Sequence, residues 1–111
     1  MAAQIQSFFS PDELNLLEQF KNDTGMTYRA ILEKAIDYYL QNDLPYIQSE
    51  YIRWCSLGKE RKKRKNLNRS EETLKKLSIF CIANNYSLSS VAAQAIVAYV
   101  NAKSKELNNI L

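Results

Sequence analysis

Histidine is absent from the 111-residue chain, which removes imidazole general acid–base catalysis, the Ser-His and Cys-His nucleophile couples and every zinc pattern that uses imidazole. Glycine and proline occur only twice each. An all-β chain of this length would need many more turn residues, so a mostly α fold is expected. Cysteine is limited to Cys55 and Cys81, which stand apart among apolar residues rather than in a C-x-x-C pair and read as buried free thiols in a reducing compartment. No run of about 18 apolar residues occurs, and the start, MAAQIQSFFSPDE, lacks a basic region followed by an apolar stretch. Neither a membrane span nor a signal peptide is expected, and a cytoplasmic location follows. The N-x-[ST] matches at Asn22, Asn68 and Asn85 then carry no weight as glycosylation acceptors. A non-enzymatic protein without cofactor or metal is the expectation.

What is present is 46% hydrophobic and 24% charged residues, too apolar for wholesale disorder and short enough for one core or two very small units. The net charge of +3 hides an asymmetry: residues 1–60 hold five basic and nine acidic side chains, a net −4, whereas residues 61–111 hold ten and three, a net +7. The run Lys59-Glu60-Arg61-Lys62-Lys63-Arg64-Lys65 concentrates that positive potential. It suits a polyanion such as nucleic acid, held in a salt-dependent way, but a solvated linker or helix face has the same composition.

A shift of 60 residues aligns the two halves without a gap: Ser10 with Ser70, Leu14 with Leu74, Leu17 with Leu77, Phe20 with Phe80, Ala35 with Ala95, Ile36 with Ile96 and Tyr39 with Tyr99. Conservative matches fill the intervals, among them Asp12 with Glu72, Thr27 with Ser87, Ile31 with Val91 and Leu40 with Val100. One offset that keeps helix caps and apolar faces in register identifies a tandem duplication.

Each repeat reads as a short extended segment followed by two helices. Ser10-Pro11-Asp12-Glu13 combines an N-cap serine, proline at the first helical position and a glutamate that closes a capping box. The helix from there carries Leu14, Leu17 and Phe20 on one face with Leu16 beside them, and Gly25 ends it, giving roughly 11–23. Thr27 caps a second helix to about Gln41, with Ile31, Leu32, Ala35, Ile36 and Tyr39 at three- and four-residue spacing. The second repeat has Ser70 as cap, Leu74, Leu77 and Phe80 as face, Asn84-Asn85 for the terminating glycine, and Ser87 capping a helix with Val91, Ala92, Ala95, Ile96 and Tyr99 to roughly Lys105. Between the repeats, Pro45 and then Ile47, Tyr51, Trp54 and Cys55 suggest a connecting helix ended by Gly58. The extended segments, 4–9 and 64–69, lack local hairpin partners, so each is expected to pair with the other.

A short strand, an S-x-x-x-L-x-x-L helix, a G-x-[ST] or N-x-[ST] turn, and a helix with Ala-Ile and a terminal aromatic resemble the ribbon-helix-helix family of the MetJ/Arc type. The resemblance covers nearly the whole chain twice and leaves out only about 42–62. It implies a mostly α fold with one short two-stranded antiparallel β-ribbon. The arrangement is a single-chain pseudo-dimer in which repeat 1 (1–41) and repeat 2 (63–111), joined by a helical linker (42–62), form one intertwined domain. The family pattern implies sequence-specific binding of double-stranded DNA by the ribbon in the major groove, by a transcriptional repressor or a plasmid or mobile-element accessory factor.

The implied base-reading positions are Gln4, Gln6 and Phe8 in repeat 1 and Arg64, Asn66 and Asn68 in repeat 2. Strand alternation agrees, since Ile5, Phe9 and Leu67 then point inward. Thr27 and Ser87 match the family's phosphate-binding helix starts and also serve as ordinary caps. With Lys62, Lys63 and Lys65 they form the candidate phosphate contacts. Lys65 and Arg69 depart from the pattern, occupying inward positions where apolar residues are usual. Phe8 facing the core, and Gln4 and Gln6 as ordinary polar strand residues, are the competing readings. A fused pair of unlike strands suits an asymmetric DNA site, and self-association on DNA stays open. From another class, a helical protein–protein interaction module or an antitoxin with little DNA binding of its own fits the acidic first half.

Overall fold

The computed structural model describes residues 4–41 and 61–110, with backbone alone for 105–110. The expected linker helix with Ile47, Tyr51, Trp54 and Cys55, its stop at Gly58, and Lys59 and Glu60 of the basic run lie outside the described residues. Six elements follow in order: β1 (Gln4–Phe9), α1 (Pro11–Thr24), α2 (Tyr28–Gln41), β2 (Lys63–Asn68), α3 (Glu71–Asn84) and α4 (Leu88–Ile110). Among the described residues the fold is therefore mostly helical, with one two-stranded antiparallel sheet.

The local chemistry behind these boundaries is visible at each cap. Ser10 Oγ accepts from the Glu13 backbone N–H at 3.2 Å while Glu13 Oε1 accepts from the Ser10 N–H at 2.8 Å, a complete capping box. Ser70 repeats half of it, its hydroxyl accepting from Thr73 N–H at 3.1 Å. Helix α1 ends at Gly25 with φ 72°, and α3 ends at Asn85 with φ 59°. Both chains of residues turn through the left-handed region that glycine enters freely and asparagine tolerates. Helix α4 runs five residues beyond the expected Lys105, because nothing from Val100 onward breaks a helix and Lys, Glu and Leu all favour one.

The core lies between α2 and α4 and under the sheet. Ile31, Leu32, Ala35, Ile36 and Tyr39 of α2 and Val91, Ala92, Ala95, Ile96, Tyr99 and Val100 of α4 are all buried. Leu17 and Phe20 of α1, Leu77 and Cys81 of α3, and Ile5, Phe9 and Leu67 of the strands complete the cluster. Packing crosses between the two halves of the chain. Phe20 meets Tyr99 edge-on at a centroid distance of 5.9 Å, and Phe80 meets Tyr39 edge-on at 5.8 Å, the same contact made once from each half. The Tyr39 hydroxyl donates to Gln94 Oε1 at 2.8 Å, which satisfies the buried Gln94 amide oxygen.

Candidate nucleic-acid interface

Two strands of six residues, each alternating across the pleat, must present one face to the helices and one away from them. In β1 the outward residues are Gln4, Gln6 and Phe8 and the buried ones Ile5, Ser7 and Phe9. In β2 the outward residues are Arg64, Asn66 and Asn68, with Leu67 buried. The register sets Gln4 opposite Asn68, Gln6 opposite Asn66 and Phe8 opposite Arg64. All six residues read from the sequence as base readers thus stand on one exposed face. Phe8 is 41% exposed, which excludes its packing into the core.

The polar heads on this face already interact. Gln4 Nε2 donates to Asn68 Oδ1 at 3.0 Å. With the Gln6 amide turned so that its oxygen meets donors, Gln6 Oε1 accepts from Arg64 Nη1 at 3.0 Å and Nε at 3.1 Å. Arg64 faces Phe8 directly and Gln6 diagonally, a distance that long side chains cover. These pairs are exposed and charge-assisted or neutral hydrogen bonds that a ligand with matching donors and acceptors can replace.

The inward positions that held basic residues are resolved by packing. Lys65 is half-buried, with β2 intact around it, and its Nζ lies 4.2 Å from the centroid of the Tyr28 ring. Lys21 Nζ approaches the same ring at 5.2 Å. Tyr28 is the first residue of α2, so two cations gather beside the positive end of that helix. Arg69, expected as an inward residue of the second extended segment, instead follows the end of β2 at Asn68, where it pairs with Glu71 Oε1 at 3.2 Å. On the other edge of the sheet the Ser7 hydroxyl, wholly buried, donates to the Ser89 carbonyl in the first turn of α4 at 3.3 Å.

Thr27 and Ser87 are exposed caps: Thr27 Oγ1 accepts from Ala30 N–H at 3.1 Å and Ser87 Oγ from Ser90 N–H at 3.2 Å. Lys62 and Lys63 are exposed, immediately before and at the start of β2. Arg61 behaves differently from its neighbours in the run. Its guanidinium donates from Nε to Glu13 Oε1 at 3.0 Å and from Nη2 to Glu13 Oε2 at 2.8 Å, with the Arg61 side chain only 9% exposed. It ties the approach to β2 onto the capping box of α1. Sequence reasoning missed Arg61, Tyr28 and Ser7 because their partners are remote; the only local signal was that Ser7 is polar at an inward position.

Among the described residues no group of acidic or cysteine side chains is arranged to hold a metal, and no helix is long and apolar enough to cross a membrane. Comparison with protein-family models, characterised proteins and solved structures returns no match.

Proposed function

We propose that the chain is a tandem ribbon-helix-helix protein that binds double-stranded DNA in a sequence-specific way, inserting the β1–β2 ribbon into the major groove. The observation that carries the reading is the outward face of the ribbon: Gln4, Gln6, Asn66 and Asn68 amides, the Arg64 guanidinium and the Phe8 ring, none of them claimed by a buried partner among the described residues. A two-stranded ribbon fits the major groove, where Gln and Asn match adenine, Arg matches guanine and an aromatic ring meets the thymine methyl. Lys62 and Lys63, with the helix starts at Thr27 and Ser87, suit the phosphates on either side.

The register supports the pseudo-dimer. Moving each residue by 60 interchanges the pairs Gln4–Asn68 and Phe8–Arg64 and carries Gln6–Asn66 onto itself, as a two-fold axis through the central pair would. The matched contacts Phe20–Tyr99 and Phe80–Tyr39 obey the same operation. The proposed role is that of a repressor or a plasmid or mobile-element accessory factor.

Mobility-shift titration on mixed-sequence duplex tests the reading. Binding at low salt is expected, with the logarithm of affinity falling linearly against the logarithm of salt concentration. No shift at low salt overturns it and favours the protein-interaction module, for which Ile79 and Ile82, 62% and 82% exposed on α3, are the specific observation.

A further inference from the structure

The two ends of the ribbon's outward face differ chemically, and the helix starts differ with them. One end carries Phe8 opposite Arg64, the other Gln4 opposite Asn68. The start of α2 has Lys65 and Lys21 over Tyr28; the positions 60 residues away hold Ile5, Cys81 and Leu88, none of which carries a cation. Resting on the DNA-binding reading above, we propose that the face reads an asymmetric duplex sequence in one direction only, with a guanine under Arg64 at one end and amide-read base pairs at the centre and the other end.

Strand rise of about 3.4 Å per residue separates Gln4 from Phe8 by about 14 Å, which is about four base-pair steps at roughly 3.4 Å each. The two ends therefore meet different base pairs. Reversing the protein about Gln6–Asn66 places Gln4 where Arg64 stood, and an amide does not reproduce the two donors that guanine O6 and N7 accept. In the free protein Gln6 also orients Arg64, before either side chain meets a base. Its Oε1 holds Arg64 through Nε and Nη1 over the exposed face and leaves Nη2 unused by that contact, so part of the ordering of a long side chain is complete before DNA arrives.

Selection of bound sequences from random duplex, using the full chain, tests the proposal. A motif that is not its own reverse complement is expected, with guanine at one end. Arg64→Lys, which keeps the charge, should reduce that guanine preference about tenfold or more. The double substitution Gln4→Arg with Asn68→Phe copies the Arg64–Phe8 end onto the other, and should yield a near-palindromic motif with guanine at both ends. All three positions are exposed, and unchanged thermal melting verifies the fold. A palindromic motif from the unsubstituted chain overturns the asymmetry alone, and an unchanged guanine preference in Arg64→Lys overturns the assignment of the guanine to Arg64. No enriched motif with unselected duplex still bound overturns the asymmetry together with the sequence specificity of the proposed function. Failure to bind any duplex at low salt overturns the DNA-binding reading with it.

Discussion

Leu67 and its neighbours Asn66 and Asn68 show how one residue step changes the role of a side chain. Leu67 is fully buried while both asparagines are exposed. Leu67→Ala should cost about 2–4 kcal/mol and lower the melting temperature by roughly 10 °C or more. Asn66→Ala and Asn68→Ala create no cavity and should melt within a few degrees of the parent, yet, under the proposed function, each loses base discrimination worth about 1–3 kcal/mol. Calorimetry and binding to a selected site separate the two effects; early melting with intact specificity in the asparagine variants would reverse the faces. Cys81 gives a second residue-scale test. Burial pushes its thiol up to about 11 from 9.0. Below pH 9 the thiol is protonated in folded and unfolded chains alike. Between 9 and 11 the unfolded chain releases the proton first, so stability falls as pH rises. The fall should be shallower in Cys81→Ala when urea denaturation is followed across that interval, and equal slopes would contradict it.

At the scale of elements, the described part of the basic run, residues 61–65, divides into a structural part and an exposed part. Arg61 is committed to Glu13, whose other hydrogen bond closes the cap of α1. Arg61→Ala should therefore destabilise by about 1–3 kcal/mol, a charged hydrogen-bonded partner being lost from a largely buried pair. Lys62→Ala with Lys63→Ala should leave melting nearly unchanged and, under the proposed function, weaken binding to every duplex sequence alike and lower the salt slope by about one or two units. A loss confined to one DNA sequence would assign these lysines a different role. The helices themselves were legible before the structure. Ser10-Pro11-Asp12-Glu13, Gly25 and Asn85 act through hydrogen bonds and backbone angles within a few residues, so their signals survive in the linear chain. Arg61–Glu13 spans 48 residues and Lys65–Tyr28 spans 37, and nothing local announces either.

For the whole molecule, the core is shared: α2 of the first half packs on α4 of the second, and each half supplies one strand. Neither half buries Ile5, Phe9, Leu67 or the α2–α4 seam by itself, so each depends on the other for its apolar burial. The two halves are joined in one chain, which raises their effective concentration for each other. Sedimentation of the free protein should give a mass of about one chain. A strict dimer at nanomolar concentration would instead indicate strands exchanged between chains.

Among the described residues, and apart from the ends of β2 and α4, periodicity, caps and the 60-residue offset determined from the sequence which segments are helices, which are strands, and which strand residues share a face, because side-chain alternation and helical spacing are properties of the backbone alone. The tertiary structure decided what those residues touch. It set Gln4 on Asn68 and Gln6 on Arg64, turned Arg61 away from the other cations to hold α1, and laid Lys65 on Tyr28 at a position where the repeat pattern calls for an apolar residue. Each of these contacts depends on how the two halves close on one another, and residues remote in the chain acquire a distance between them only when the shared core has formed.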